Sequence, residues 1–358
     1  MQKPAPDRSD EEPSEQGADR QRSVSIFDVA KAAGVSHQTV SRVVNDRPRV
    51  SKATRERVLE VIDELGYKPN RLARALAGGV VRSVTVLTSD TTLYGASLAL
   101  RGIEEAARAA EFAVAISVLD EHAPLTRDDV ASRLARPGEP VVVIAFNASG
   151  ERAWRALPAD FPAAAVVERP RDGGGLRGRP EAWLDDRVAA AQATRYLLSL
   201  GHRTVHHMAI PSSTTRVGQR AEGWRDALVA AGRQVPEPLE GGWTPRSGHQ
   251  AARSLVADPQ VTAVLCGNDE LALGVLRAAR EAGRDVPGDL SVVGFDDALY
   301  AGYTHPALTT VRLDFEGLGR GAFGMLHRLL DPDNAPAPPL WAEPELIVRE
   351  STGPAPGR

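Results

Sequence analysis

Beyond residue 80 the chain repeats one pattern, a short continuous apolar run followed by an alanine-rich segment of helical spacing. The runs fall at 84–87, 114–118, 141–146, 164–167, 205–210, 261–266 and 291–295, and the helical segments include 99–110, 189–200, 221–231 and 270–282. A strand that is apolar along its whole length must have both faces covered, so alternation of such strands with helices dictates parallel sheets flanked by helices. The length and repetition of the pattern fit two doubly wound sheets better than one. Sheets of this kind take ligands at the carboxyl ends of their strands, which directs the search for chemistry to the loops there.

The N-terminal part obeys a different pattern. Residues 1–22 are rich in Pro, Ser, Gln, Asp and Glu with little apolar beyond alanine, and are expected to be disordered. From residue 23, Ile26, Val29, Ala30 and Ala33 recur on one face of a first helix. Gly34 supplies the left-handed residue that ends it, Val35 plugs the gap, and Ser36 can cap a second helix starting at His37. On that helix Val40, Val43 and Val44 point inward, while His37, Gln38, Ser41 and Arg42 form an exposed polar face. This is the layout of a helix-turn-helix whose second helix meets base edges in the major groove, with Gln38 and Arg42 suited to bidentate readout of adenine and guanine. A third helix, capped by Ser51 and ended by Gly66, would close a small core with Val58, Val61, Ile62 and Leu65. Residues 23–79 hold ten Lys/Arg against six Asp/Glu although the whole chain carries −4, so positive charge is concentrated where phosphates would be met.

Asp28-Val-Ala, Gly34-Val-Ser, Thr39-Val-Ser-Arg-Val and Asn45, followed by Tyr67-Lys-Pro-Asn70 and Leu76-Ala-Gly78, together resemble the lactose-repressor (LacI) family of bacterial transcription regulators. The resemblance implies a helix-turn-helix headpiece at 23–69 and a hinge helix at 70–79. Over 80–358 it implies two doubly wound parallel-sheet subdomains like a type I periplasmic binding protein, joined by crossovers near residues 183, 312 and 342. It places DNA contacts at Ser36, His37, Gln38, Thr39, Ser41, Arg42 and Asn45. In the hinge it adds Asn70, Ala73 and Leu76, the leucine wedging into the minor groove and kinking the duplex. A stretch as short as 70–79 does not hold a helix alone in water, so its helicity is expected to depend on DNA and a dimer mate.

For the ligand side, the resemblance points to Arg220, three residues before Gly223-Trp224, as a donor to sugar hydroxyls. It adds Asn268 as a two-way amide, Asp296 as acceptor for paired hydroxyls and Trp243 as a platform for a pyranose ring. Ser89, Leu93 and Tyr94 would line the other wall, and Asp185 would contribute a further contact. Trp224 reads as core, and Asp269 and Asp297 read as helix caps. Two departures stand out: Leu313 occupies a place where lactose-repressor-like members carry glutamine, and the glycine that commonly follows the Asp185 position is missing. The same sugar is therefore not expected.

Other chemistries are excluded by pattern. Gly173-Gly-Gly175-Leu-Arg-Gly178 satisfies a dinucleotide glycine spacing but runs into Arg179-Pro180 instead of a helix. No P-loop, nucleophile elbow or paired His/Cys metal spacing occurs, and His206 and His207, adjacent in a strand, point to opposite faces. No cofactor or metal is expected, nor an enzyme. The one cysteine, Cys266, lies in an apolar run and reads as inert core. With no secretory apolar segment and no stretch of eighteen apolar residues, the chain is expected in the cytoplasm, away from membranes. The C-terminal residues carry no leucine heptads, leaving a homodimer as the default. The expected function is a sequence-specific DNA-binding regulator, a repressor released from operator DNA by a small sugar or glycoside effector. A corepressor-responsive regulator and a sugar-binding protein without DNA function are the alternatives.

Overall fold

The computed structural model describes residues 24–44, 50–67, 82–120, 126–132, 138–159, 161–168, 178–211 and 219–357. The expected tail at 1–22, Asn45, the hinge with Asn70, Ala73 and Leu76, and most of the glycine-rich 173–178 loop lie outside the described residues. The chain divides into two units, Met1–Val81 and Arg82–Arg358.

The described part of the first unit is three helices, α1 (Ile26–Ala33), α2 (His37–Val44) and α3 (Lys52–Glu64). Ser25 caps α1 in a reciprocal box with Asp28, and Gly34 ends it at φ 65°, donating its N–H to the Ala30 and Lys31 carbonyls. Any residue with a Cβ is strained there, which is why the turn between α1 and α2 calls for glycine. Ser51 caps α3 through the Thr54 N–H. Val29, Ala30, Ala33, Val40, Val43 and Val58 form the buried core, with Val61 and Ile62 packed at its edge. Leu65, expected in that core, is 37% exposed instead. It is the C-cap residue of α3, one position past the last helical turn, so its side chain leaves the buried face.

The second unit holds two sheets. The first has the order β2-β1-β3-β4-β5, all parallel, from β1 (Ser83–Thr88), β2 (Ala113–Val118), β3 (Val141–Ala145), β4 (Ala163–Val167) and β5 (Glu181–Ala182). Between them run α4 (Tyr94–Ala109), α5 (Arg127–Ser132) and α6 (Ala148–Ala156). Next in the chain come α7 (Asp186–Ser199), β6 (His206–Ala209), α8 (Gln219–Ala230), β7 (Leu239–Glu240), α9 (Pro245–Ala257), β8 (Ala263–Cys266), α10 (Asp269–Glu281), β9 (Ser291–Asp296) and β10 (Thr309–Arg312). The chain then forms α11 (Phe315–Leu330) and closes on β11 (Glu345–Ile347). The second sheet runs β11-β10-β9-β8-β6-β7, parallel except for the antiparallel edge strand β11.

The chain passes from the first sheet to the second after β5, returns after β10 to lay α11 beside α4 and the first sheet, and crosses again before β11. The α4–α11 contact is close enough to demand glycine. A Cβ on Gly102 would stand 2.0 Å from the Glu316 carbonyl oxygen, and one on Gly319 would stand 2.1 Å from that of Ala99. The expected helix at 99–110 begins earlier, at Tyr94, directly behind the loop that leaves β1. Contact of Gly95 with the Phe315 ring of α11 and the hydrogen bond from the Tyr94 hydroxyl to the Asp297 carbonyl hold a first turn that alanine content did not reveal.

Candidate functional site

On α2 the expected reading face is exposed at His37, Gln38 and Arg42 and half-buried at Thr39 and Ser41. Ser36 accepts from the Thr39 N–H at 3.1 Å and its hydroxyl lies 2.9 Å from the Thr39 hydroxyl, so these two side chains fix the start of the helix. His37 packs on exposed Phe27 of α1, ring centroids 5.2 Å apart. Polar groups at the N-terminal end of an exposed helix are placed as major-groove readers require.

In the second unit, a small cavity opens where strand ends of both sheets converge. Phe146 follows β3, Val167 and Glu168 stand at the end of β4, and Asp186 opens α7. Ile210 follows β6, Trp243 follows β7, Asp296 ends β9, and Phe315 and Leu318 come from α11. Arg220, in the first turn of α8, organises the polar side. Its Nε donates to Asp186 at 2.9 Å, a terminal nitrogen lies 3.5 Å from Asp296 Oδ1, another donates to the Gly267 carbonyl, and its guanidinium covers the Phe295 ring at 4.1 Å. Asp296 adopts φ 115°, an uncommon conformation for a residue with a side chain, and Asp297 follows at φ 53°. Burial pushes the Asp296 carboxyl well above the usual carboxylate range; Arg220 pulls against this, while Asp269, Glu270 and Asp186 add to it. Phe146 and Phe315 meet edge to face at 5.6 Å.

The structure brings Leu93, Arg220, Trp243 and Asp296 together around this cavity. It engages the other expected residues elsewhere. Asn268 is the N-cap of α10: its Oδ1 accepts from the Leu271 N–H at 2.8 Å and its Nδ2 donates to the Trp243 carbonyl at 3.2 Å, so both ends of the amide are taken. Ser89 accepts from Asn147 Nδ2 at 2.6 Å. Asp185 caps α7 through the Val188 N–H, and its neighbour Asp186 faces the cavity. Tyr94 donates to the Asp297 carbonyl at 3.4 Å, linking α4 to the loop after β9. Asp269 and Asp297 are not caps: Asp269 accepts from the Thr310 hydroxyl at 2.6 Å and the Ala298 N–H at 2.7 Å, and Asp297 binds Arg312 at 2.8 Å and Arg349 at 2.6 Å. Leu313 is buried core.

Sequence reasoning missed Phe146, Glu168, Asp186 and Phe315. Each stands just past the carboxyl end of a strand, the signal that could have found it. Trp224 is fully buried and donates to the Val205 carbonyl. His207 is buried on the Trp224 side of β6, where burial pushes its imidazole down to about 4, and Cys266 is core.

A helix-turn-helix with an exposed polar reading helix, in one chain with two parallel sheets whose strand ends enclose a charged cavity, defines a DNA-binding regulator with a periplasmic-binding-protein-like core. Residues 25–70 match the bacterial regulatory proteins of the lacI family, and residues 194–352 match the periplasmic binding protein-like domain. Catabolite control protein A of Priestia megaterium is 31% identical, over 92% of this chain and 99% of its own. The lac repressor dimer solved with operator and the anti-inducer ONPF superposes with a TM-score of 0.74 at 30% identity, covering 93% of this chain and all (100%) of that one. The CelR–cellobiose complex superposes at 0.63 with 29% identity, over 92% and 99%. The chain belongs to the LacI family of bacterial transcription regulators; it is a transcription regulator, and its named relatives are regulators and not enzymes. Among the described residues no helix is long and apolar enough to cross a membrane.

Proposed function

We propose that this regulator is a cytoplasmic homodimer that binds a two-fold-related operator through α2 of each copy and leaves it when a small sugar or glycoside fills the cavity. The observation that carries the ligand half is Arg220 holding two carboxylates, half-buried Asp186 and buried Asp296, where strand ends from both sheets meet. Such a cluster offers donors and acceptors for hydroxyls, and Trp243 offers an apolar face for a ring. The lac repressor structure with operator and the CelR structure with cellobiose support reading this chain in the same way. Residues 70–79, with Asn70, Ala73 and Leu76, are the proposed hinge between the 23–69 headpiece and the 80–358 core.

The test begins with selection of duplexes from a random pool by the full chain, which should yield one palindromic site. Operator release is then followed while sugars are added, for the chain as it stands and for Asp296→Ala. The variant should still bind the selected site and no longer release it. Release that persists unchanged in Asp296→Ala removes the cavity from the mechanism, and tightening by the ligand converts the protein into a corepressor-responsive regulator.

A further inference from the structure

Phe27 is the second residue of α1 and stands off that helix's buried face. Val29, Ala30 and Ala33 fill the headpiece core, whereas the Phe27 side chain is 64% exposed. It meets the imidazole of His37, the first residue of α2, with the ring centroids 5.2 Å apart and the planes inclined at 42°. The pair brings an apolar ring of α1 to the N-terminal end of α2, the end at which a recognition helix comes closest to base edges.

Among the described residues of α2, the exposed side chains are His37, Gln38 and Arg42. All three end in hydrogen-bonding groups, which suit the ring nitrogens, amines and carbonyl oxygens of base edges. The major groove also presents one apolar group, the C5-methyl of thymine, and none of the three ends in a surface that complements it. A phenyl ring does, and it has no hydrogen bond to give a phosphate. We infer that Phe27 is a further specificity-determining residue of the operator interface, its exposed ring packing on the methyl of a thymine beside the base pair that His37 meets. Burial of ring and methyl against each other strengthens only those sites that carry the methyl, so sequence is read from α1 as well as from α2. This rests on α2 being the helix that enters the major groove.

The test uses the full chain and the duplex it selects from a random pool. Each thymine of one half-site, together with its mate in the other, is replaced by deoxyuridine, which removes the methyl and keeps every hydrogen-bonding group of the base. Dissociation constants are measured at one salt concentration for the parent chain, Phe27→Ala, Phe27→Leu and Gln38→Ala. In the parent chain one replacement should weaken binding about fourfold per half-site, the worth of one buried methyl. The same replacement should have no effect in Phe27→Ala, keep part of its effect in Phe27→Leu and keep all of it in Gln38→Ala. Both duplexes meet the same protein in each comparison, so a general weakening by the substitution cancels. Phe27→Leu answers the same question should the smaller side chain unfold the headpiece.

A parent chain indifferent to every deoxyuridine overturns the inference, and so does a methyl preference that survives undiminished in Phe27→Ala. Gln38→Ala should also lose preference for the selected duplex over random ones. If it does so while no thymine is sensitive, the inference about Phe27 falls alone. If it does not, the reading of α2 falls and takes the inference with it.

Discussion

Asp269 shows how burial and hydrogen bonding compete at a single residue. Burial pushes its carboxyl up to about 7, while the Thr310 hydroxyl and the Ala298 N–H favour the ionised form. Because the folded value exceeds the unfolded one, the folded state holds the proton between about pH 4 and pH 7, so this group's contribution to stability falls as pH rises through that window and is level above it. Thr310→Val removes a donor to the ionised form. It should therefore cost about 1–3 kcal/mol at pH 8 and clearly less at pH 6, read by chemical denaturation at both; equal losses would mean Asp269 does not titrate there. On the DNA side, Arg42→Ala or Gln38→Ala should each cost about 1–3 kcal/mol on the selected site and relax preference at one base pair per half-site. Equal losses on selected and random duplexes would reduce both residues to phosphate contacts. Sequence motifs made Arg220 and Asp296 legible, but could not tell Asn268 from Asp269 or Asp185 from Asp186. Adjacent residues at a strand-to-helix turn differ only in which one meets the first-turn N–H groups, and that depends on where the helix begins.

Among the elements, α11 matters most to the cavity, because it crosses from the second sheet to the first and carries Phe315 and Leu318 into the wall. Its seat against α4 depends on backbone contact at Gly319. Gly319→Ala should cost about 1–3 kcal/mol by forcing the helices apart, and it should weaken effector binding through the shifted Phe315. Denaturation together with ligand titration checks this, and a variant that is fully stable would show that the helices can separate freely. The central strands other than β10 were legible because each is a short apolar run, whereas β10, Thr309–Arg312, is not such a run and was missed. The two-residue strands β5 and β7 were not legible, since pairing with a neighbour sets their limits and apolar content does not. Among the described residues of the headpiece, periodicity located all three helices, and it failed at Leu65, where apolar spacing outlasts the helix by one residue.

At the scale of the whole molecule, the proposed regulation couples a reading helix in one unit to ligand occupancy of a cavity in the other. Linkage makes that coupling measurable in both directions: whatever factor the effector takes from operator affinity, the operator must take from effector affinity. The direct measurement is the operator dissociation constant of the full chain without and with saturating effector, set against the effector dissociation constant without and with saturating operator, at one salt concentration. The account predicts that both ratios are weakenings of the same size, about 5–150-fold, corresponding to about 1–3 kcal/mol. An effector that binds in the cavity with the same affinity whether or not operator is bound would contradict it.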